Sequence, residues 1–203
     1  MVWDELTREA ENQNGRDRDR LIGVYIGILA VLLAICSTGG GNAAKDATLK
    51  NIEAANTWAF FQAKNMRRHV LRVEADSLGL HLQSVPNLTS DGRSAIEAKI
   101  IDYKKQDAIL TAGDAAKPID QREGLDQLFE KGKRLEAERD VAMRKDPYFD
   151  YGEAFLQIAI VLASISIITR GTFLLAISGA LAAAGAYFTA QGFTLALTMP
   201  GLG

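Results

Sequence analysis

The sequence has 203 residues and a formal net charge of −2, and 48% of its residues are hydrophobic. The near-zero charge gives no reason to expect a nucleic-acid partner, and the single cysteine, Cys36, excludes an intramolecular disulfide and a cysteine-based zinc site. The apolar residues are unevenly spread: residues 21–36 and 154–169 carry no charge, and residues 171–203 carry neither a charged side chain nor a histidine. This separation predicts an integral membrane protein, because lipid and water act as two solvents for one chain.

The first predicted membrane span covers residues 21–38 and follows a charged N-terminal tail, residues 1–20. Its length of about 18 residues is close to the minimum that crosses a hydrocarbon core of about 30 Å. A cleaved signal peptide is the main alternative, but the tail contains Asp17 and Asp19 and no small-x-small cleavage site follows. Cys36 also resembles a lipidation site, except that the residue before it is large. The sequence favours a retained membrane anchor.

Two further apolar segments, residues 152–169 and 172–193, are separated by Arg170 and Gly171. They predict a helical hairpin that crosses the membrane twice. A buried hairpin in a soluble protein is the alternative, but the roughly 100 residues of the charged middle region are too few to cover it. The last residues, 194–203, form an apolar C-terminal tail. Three transmembrane helices are therefore predicted.

Each predicted span carries a row of small residues at spacings of 3 and 4. Such rows let helix backbones approach closely in lipid, where dispersion contacts then accumulate. The partner can be the same chain, a copy of it or a different protein. The residues predicted for helix packing are Gly23, Gly27, Ala30 and Ala34 in the first span, Ala176, Gly179 and Ala183 in the third, with Ala159, Ala163 and Ser166 in the second.

The charged middle region, residues 42–150, has the periodicity of long helices outside the membrane. Its first helix runs without proline as far as Val85-Pro86, and a heptad row of residues follows its length. The glycines at 39–41 leave open whether this helix continues from the first span or begins after a hinge. The row contains Leu49, Ile52, Asn56, Ala59, Ala63, Met66, Val70, Val73, Ser77 and Leu80.

A second row of the same kind lies on the last helix of the middle region, which is predicted to end near Pro147. A shorter helical segment precedes it and breaks at Ala112-Gly113. The two long helices predict an all-α membrane protein with a long antiparallel coiled-coil helical hairpin between its first and second spans. The second row contains Leu125, Leu128, Gly132, Leu135, Arg139 and Ala142.

Few side chains suggest chemistry. His69 and His81 are twelve residues apart, with no cysteine or paired carboxylate at metal-ligand spacing, so neither a metal site nor a cofactor is predicted. Glu153 and Gln157 lie one helical turn apart where the second span begins, and polar groups that enter lipid tend to face protein or water. These two are the candidate residues of a pore or cavity, and no catalytic residue is predicted.

An aromatic segment carries a family resemblance. The stretch Asn56-Thr57-Trp58-Ala59-Phe60-Phe61-Gln62-Ala63-Lys64-Asn65 resembles the W-A-[FY]-[FY]-Q-A-K motif of an uncharacterised bacterial membrane family, the domain-of-unknown-function family 4337. The order of parts is similar over most of residues 20–193, although Arg170 stands alone where the family has several lysines. The family has no assigned activity, so the resemblance implies architecture and membrane location only.

The aromatic cluster Trp58, Phe60 and Phe61 lies beside the heptad row and not within it. Large aromatic side chains in that position need a partner of their own. They can fold against residues 119–146, pack on a neighbouring subunit, or lie at the level of the lipid headgroups. The sequence leaves these three alternatives open.

The distribution of arginines predicts the orientation. Four arginines, Arg8, Arg16, Arg18 and Arg20, precede the first span and Arg170 lies in the turn of the hairpin, so with three spans both places lie on one side. The positive-inside rule makes that side the cytoplasm and places the middle region in the periplasm. The predicted location is therefore the bacterial inner membrane, with a multi-pass topology.

The sequence favours a non-enzymatic membrane assembly or scaffold protein. It would act as a homo-oligomer or as an accessory subunit of a larger inner-membrane complex, so its partners would be the lipid bilayer and either itself or another membrane-protein complex. The alternative is an oligomeric channel or transporter-like pore, which needs several copies because three short spans cannot enclose a pore alone. An enzyme is the least favoured class, since no nucleophile–base or metal set is visible.

Overall fold

The computed structural model describes the backbone of residues 2–118 and 123–195, and the side chains of residues 15–118 and 123–195. These residues form four helices and no strand: α1 is Val2–Ser84, α2 is Ser90–Ala112, α3 is Leu125–Thr169 and α4 is Thr172–Thr194. The all-α prediction is confirmed for this part of the chain. Three of the described helices, α1, α3 and α4, are long and apolar enough to cross a membrane. Residues 196–203 of the predicted C-terminal tail lie outside the described residues.

Helix α1 is continuous through two places where the sequence left its path open. It begins at Val2, so the charged tail is helical, and it passes through the glycines at 39–41 without a hinge. A glycine in a helix interior costs about 1 kcal/mol relative to alanine. The packing of Phe149 offsets this, because a Cβ atom added at Gly39 would lie 2.5 Å from the Phe149 ring. The helix ends at Ser84, as the restriction that Pro86 places on Val85 predicts.

Helix α3 continues through Pro147, so the prediction that it ends there is wrong. Proline lacks the N–H that would bond to the carbonyl of Met143, and a helix-interior proline costs about 3 kcal/mol. The two residues that follow it, Tyr148 and Phe149, are only 2% and 3% exposed. Their burial offsets the lost hydrogen bond and keeps the helix running from the middle region into the second predicted span.

The chain divides into two compact units. The span unit comprises Met1–Ala47 and Asp140–Gly203, and the middle unit comprises Thr48–Arg139. Each unit takes a part of α1 and a part of α3, while α2 belongs to the middle unit and α4 to the span unit.

In the span unit, the core lies where the three predicted spans meet. Its most buried side chains are small or aliphatic, and Cys36, Leu156, Ala159 and Ala163 are fully buried. Partly buried side chains from α1, including Leu32 and Leu33, pack around them. Small side chains at the centre allow close helix contact.

In the middle unit, α1 and α3 run antiparallel. Lys50 of α1 pairs with Glu138 of α3 at 2.9 Å, and Lys64 donates to the carbonyl of Glu123, just before α3 begins. Residue numbers along α1 therefore rise from 50 to 64 while those of their contacts fall from 138 to 123, as antiparallel helices require. Helix α2 lies against α1 through a bidentate contact of Arg72 with Asp107, at 2.7 and 3.0 Å.

The row of α3 is confirmed as a buried contact face: Leu125, Leu128 and Leu135 are 3–6% exposed. The row of α1 is not, and the prediction that it forms the seam of the hairpin is wrong. All ten of its residues are exposed, and α1 instead faces α3 with a neighbouring set that includes Ala54 and Thr57. We call the ten exposed residues from Leu49 to Leu80 the α1 stripe. Its members are Leu49, Ile52, Asn56, Ala59, Ala63, Met66, Val70, Val73, Ser77 and Leu80.

Candidate interaction surfaces

The aromatic cluster is divided between two environments. Trp58 and Phe61 pack against α3, where each contacts Phe129, with ring centroids 5.6 Å and 6.2 Å away. The Trp58 indole Nε1–H donates to Glu136 Oε1 at 2.9 Å. Of the three alternatives that the sequence left open, these two residues take the first, folding against residues 119–146. Phe60 is 43% exposed and has the Lys64 ammonium 4.8 Å above its ring.

Gly132 of α3 makes room for the indole of Trp58. A Cβ atom added at Gly132 would lie 2.8 Å from Trp58 Cε2, a distance at which the indole or one of the two helices must shift. The missing side chain of the glycine therefore leaves the space that the indole occupies. This contact defines the register of α1 on α3. The sequence placed Gly132 in the α3 row, but the row alone gave no sign of what fills it.

Exposed ion pairs join α1 to α3 and to α2. The hydrogen bond from Lys50 lowers the pKa of Glu138 from its ordinary value, and the same bond raises the pKa of Lys50. The carboxylate of Asp107 likewise raises the pKa of Arg72. Exposed pairs of this kind add little to the free energy of folding. Their contribution is to favour one arrangement of the helices over others.

The α1 stripe is exposed along its whole length. Its larger side chains are about half to two-thirds exposed, for example 51% at Ile52, 65% at Met66 and 64% at Leu80. Single exposed apolar residues need no explanation, but a continuous apolar stripe indicates a surface that meets another apolar surface.

The predicted small-residue rows of the first and third spans are exposed as well. Gly23 and Gly27, with Ala30 and Ala34, face away from the other predicted spans, and a Cβ atom added at either glycine would meet nothing within 4 Å. A Cβ atom added at Gly179 likewise meets nothing within 4 Å. Its neighbours in the row, Ala176 and Ala183, are also exposed.

A different set of glycines brings the spans of the span unit together. A Cβ atom added at Gly185 of α4 would lie 2.7 Å from Leu156 Cγ, and one at Gly152 of α3 would lie 3.0 Å from Cys36 Sγ. Nothing in the spacing of these glycines separates them from Gly23 or Gly179. Sequence reasoning missed them for that reason, because only the position of the partner reveals a covered glycine.

Phe149 occupies a narrow slot in the same unit. Gly39 of α1 and Gly192 of α4 both lie against its ring, with added Cβ atoms 2.5 Å and 2.9 Å away. Phe193 contacts the ring edge-on at 5.0 Å. The Cys36 thiol donates to the carbonyl of the same Phe149 at 3.3 Å. This side chain therefore joins all three helices of the unit.

Serine hydroxyls inside the span unit form hydrogen bonds to neighbouring helices and to the turn. Ser178 of α4 donates to the carbonyl of Ala159 on α3 at 2.7 Å, and its hydroxyl also meets the Tyr25 hydroxyl of α1 at 3.2 Å. Ser166 donates to the carbonyl of Gly171 in the turn at 2.8 Å. Polar side chains bonded across helices in this way are typical of packed membrane helices.

The basic residues that predict the orientation meet at one end of the span unit. Arg18 Nη1 donates to the carbonyl of Arg170 at 2.8 Å. Arg170 itself has a φ of 53°, the left-handed conformation that turns the chain from α3 into α4. The end of the charged tail and the turn of the hairpin are therefore in contact, and the membrane side on which they lie stays a prediction.

The two candidate cavity residues bond to each other. Gln157 Nε2 donates to Glu153 Oε1 at 3.0 Å along one face of α3, and Gln157 is exposed. A shallow apolar groove of about 350 Å³ in the same unit is lined by other residues, Leu21, Ile22, Tyr25, Leu175 and Gly179. Glu153 and Gln157 remain predictions as pore-lining residues.

No group of three or more His, Cys, Asp or Glu side chains within the described residues is placed to hold a metal ion. His69 borders an open groove of about 440 Å³ on α1 that also includes Arg68 and Arg72. Both arginines already have partners, Asn65 for Arg68 and Asp107 for Arg72. The features that stand out in the described part of the chain are contact surfaces.

Comparison with known proteins gives one match. A family model described as "Domain of unknown function (DUF4337)" matches residues 18–195. No curated protein and no solved structure matches the chain.

Proposed function

This chain belongs to the DUF4337 family, and from that premise we propose that it is a non-enzymatic integral membrane protein that assembles with other helices in and beside the membrane. The observation that carries the proposal is the set of surfaces that the chain itself leaves uncovered. The small-residue row of the first span and the α1 stripe are both exposed, whereas other glycines and leucines of the same types are buried in contacts within the chain.

The location follows from the same features. Three helices are long and apolar enough to cross a membrane, and the contact of Arg18 with the turn at Arg170 brings the basic residues to one end. The positive-inside rule makes that end cytoplasmic. The proposed arrangement is a three-span protein of the bacterial inner membrane, with the antiparallel helices of its middle unit on the periplasmic side.

The channel or transporter-like alternative has no observation of its own in its favour. It needs Glu153 and Gln157 to line an axis between copies. Their mutual hydrogen bond gives each of them a partner without such an axis. An assembly role needs only that the exposed rows meet a partner helix.

The proposal is tested with two differently tagged copies expressed together and extracted from membranes in a mild detergent. We expect the copies to co-purify, and we expect G27L to reduce their co-purification at least tenfold, because leucine fills the exposed row of the first span. I28F is the matched control, since it adds bulk at an exposed position outside that row. Monomers alone, with no protein retained, would overturn the assembly role.

A further inference from the structure

We propose that the α1 stripe is the interface of a parallel two-stranded coiled coil formed with a second copy of this chain. The inference rests on the proposed assembly function and names its partner. It starts from the contrast on α1 between a face that packs within the middle unit and a face whose residues are all exposed.

The stripe has the strict repeat of a coiled coil. Its spacings alternate between 3 and 4 from Leu49 to Leu80, a length of about 48 Å at 1.5 Å per residue. A repeat of seven residues keeps one face turned towards a partner when two helices supercoil around each other. The residues that pack on α3, such as Ala54 and Phe61, lie on the other side of the helix. Both contacts can therefore be made at once.

The residues of the stripe match a copy of themselves. With Leu49 as position a of the heptad, Asn56 is also an a residue and Val73 is a d residue. A parallel pair in register places Asn56 beside the second copy's Asn56, where the two amides bond, which is a known device for fixing register and two-strandedness. An antiparallel pair centred on the stripe places Asn56 against Val73 and leaves a buried amide without a partner.

The flanking charges favour the same arrangement. In the parallel pair, His69 lies beside the second copy's Glu74, and Asp76 lies beside the second copy's His81. No flanking pair of the stripe then brings like charges together. In the antiparallel pair, Glu53 of each copy meets Glu74 of the other, which is repulsive.

The position of the stripe within α1 supports the parallel orientation as well. The same continuous helix contains the first predicted span. Two copies inserted in one membrane with the same topology therefore present this helix in the same direction. A parallel pair needs no change of topology, whereas an antiparallel pair would.

The test is disulfide formation in membranes that contain the full-length chain, in a C36A background. V73C places a thiol at a core position, where two Cα atoms come within the reach of about 4.4–6.8 Å that a disulfide needs. E74C, the adjacent exposed position, is the matched control because it lies outside the core. We expect V73C to form at least ten times more disulfide-linked dimer than E74C, and the dimer to contain both of two differently tagged copies.

A charge exchange tests the register. D76K removes the attraction to the second copy's His81 in both symmetry-related pairs and should reduce the V73C dimer about two- to tenfold, and adding H81E should restore it. Equal dimer from V73C and E74C, or a disulfide to a different protein, would overturn the proposal. So would efficient linkage between N56C and V73C copies, because it is the mark of the antiparallel pair.

The outcomes separate this inference from the proposed function. If tagged copies still co-purify but V73C forms no dimer, the assembly role stands and the coiled coil is wrong. If the copies do not co-purify and V73C forms no dimer, both are wrong. Val73 is 52% exposed and Glu74 is exposed, so neither substitution disturbs the contacts within the chain.

Discussion

The row of α3 and the stripe of α1 have the same sequence pattern and opposite surroundings. Both alternate apolar residues at spacings of 3 and 4. Leu135 in the α3 row is 4% exposed, whereas Val73 in the α1 stripe is 52% exposed. The difference teaches that a heptad pattern identifies an apolar face of a helix, but not whether the same chain covers that face. A covered row is part of the stability of one chain, and an uncovered row is available for association.

The largest effect should come from truncating the covered row. We expect L135A to lower the free energy of unfolding by about 2–5 kcal/mol, because it leaves a cavity where α1 and α3 meet. M66A, in the uncovered stripe at 65% exposure, should change it by less than about 0.5 kcal/mol. Chemical denaturation in a detergent that keeps the chain monomeric measures both. Equal losses for the two variants would show that the stripe is covered within the chain.

Glycines on the two helices should respond with opposite signs. G132A places a methyl group against the ring of Trp58, and such overpacking costs about 1–3 kcal/mol. A Cβ atom added at Gly79 of α1 meets nothing within 4 Å, so G79A should stabilise the helix by about 0.5–1 kcal/mol. The shift in Tm gives the sign for each variant. A destabilising G79A would mean that this part of α1 has a neighbour.

The smallest effect concerns the exposed pair of Lys50 and Glu138. Because its bond to Lys50 lowers the pKa of Glu138, the stabilisation is present above the ordinary carboxyl pKa and is lost as pH falls through the lowered value. The Tm difference between the wild type and E138Q should therefore be positive at neutral pH and shrink below about pH 4.5.

The control for that comparison is E130Q, which removes an exposed carboxylate of the same helix. Asp146 responds in the opposite direction, because burial raises its pKa and protonation then favours the folded state. Its contribution is common to the wild type and both variants and cancels in the differences. A pH-independent difference for E138Q would show that the bond to Lys50 is not made in solution.

The sequence predicts those parts of the fold that depend on local chemistry or on a strongly apolar face. Pro86 determines the end of α1, and the leucines of the α3 row are buried as predicted. The family and the capacity of three helices to cross a membrane were also predictable. The predicted end of α3 at Pro147 is wrong because the free energy that proline costs inside a helix is offset by the burial of Phe149, a long-range contact.

The face of α1 that packs on α3 could not be predicted from hydrophobicity. It includes Lys64, whose ammonium bonds to the carbonyl of Glu123 just before α3. A long basic side chain can cover apolar surface with its stem while its charged end stays bonded, so a charged residue does not exclude a contact face. The alternative face is more apolar and follows a cleaner repeat, so periodicity favours it. The glycines show the same limit, since Gly27 and Gly185 are alike in sequence and differ only in their neighbours.

The glycine slot around Phe149 also limits how the spans can move. The ring lies against glycines of α1 and α4, Gly39 and Gly192. Shifting either helix by one residue means a translation of about 1.5 Å with a rotation of about 100°, which would bring a side chain such as Thr38 or Gln191 to the ring. The ring therefore opposes sliding of α1 and α4 along α3. We therefore expect a force along the axis of one span to displace the three helices together.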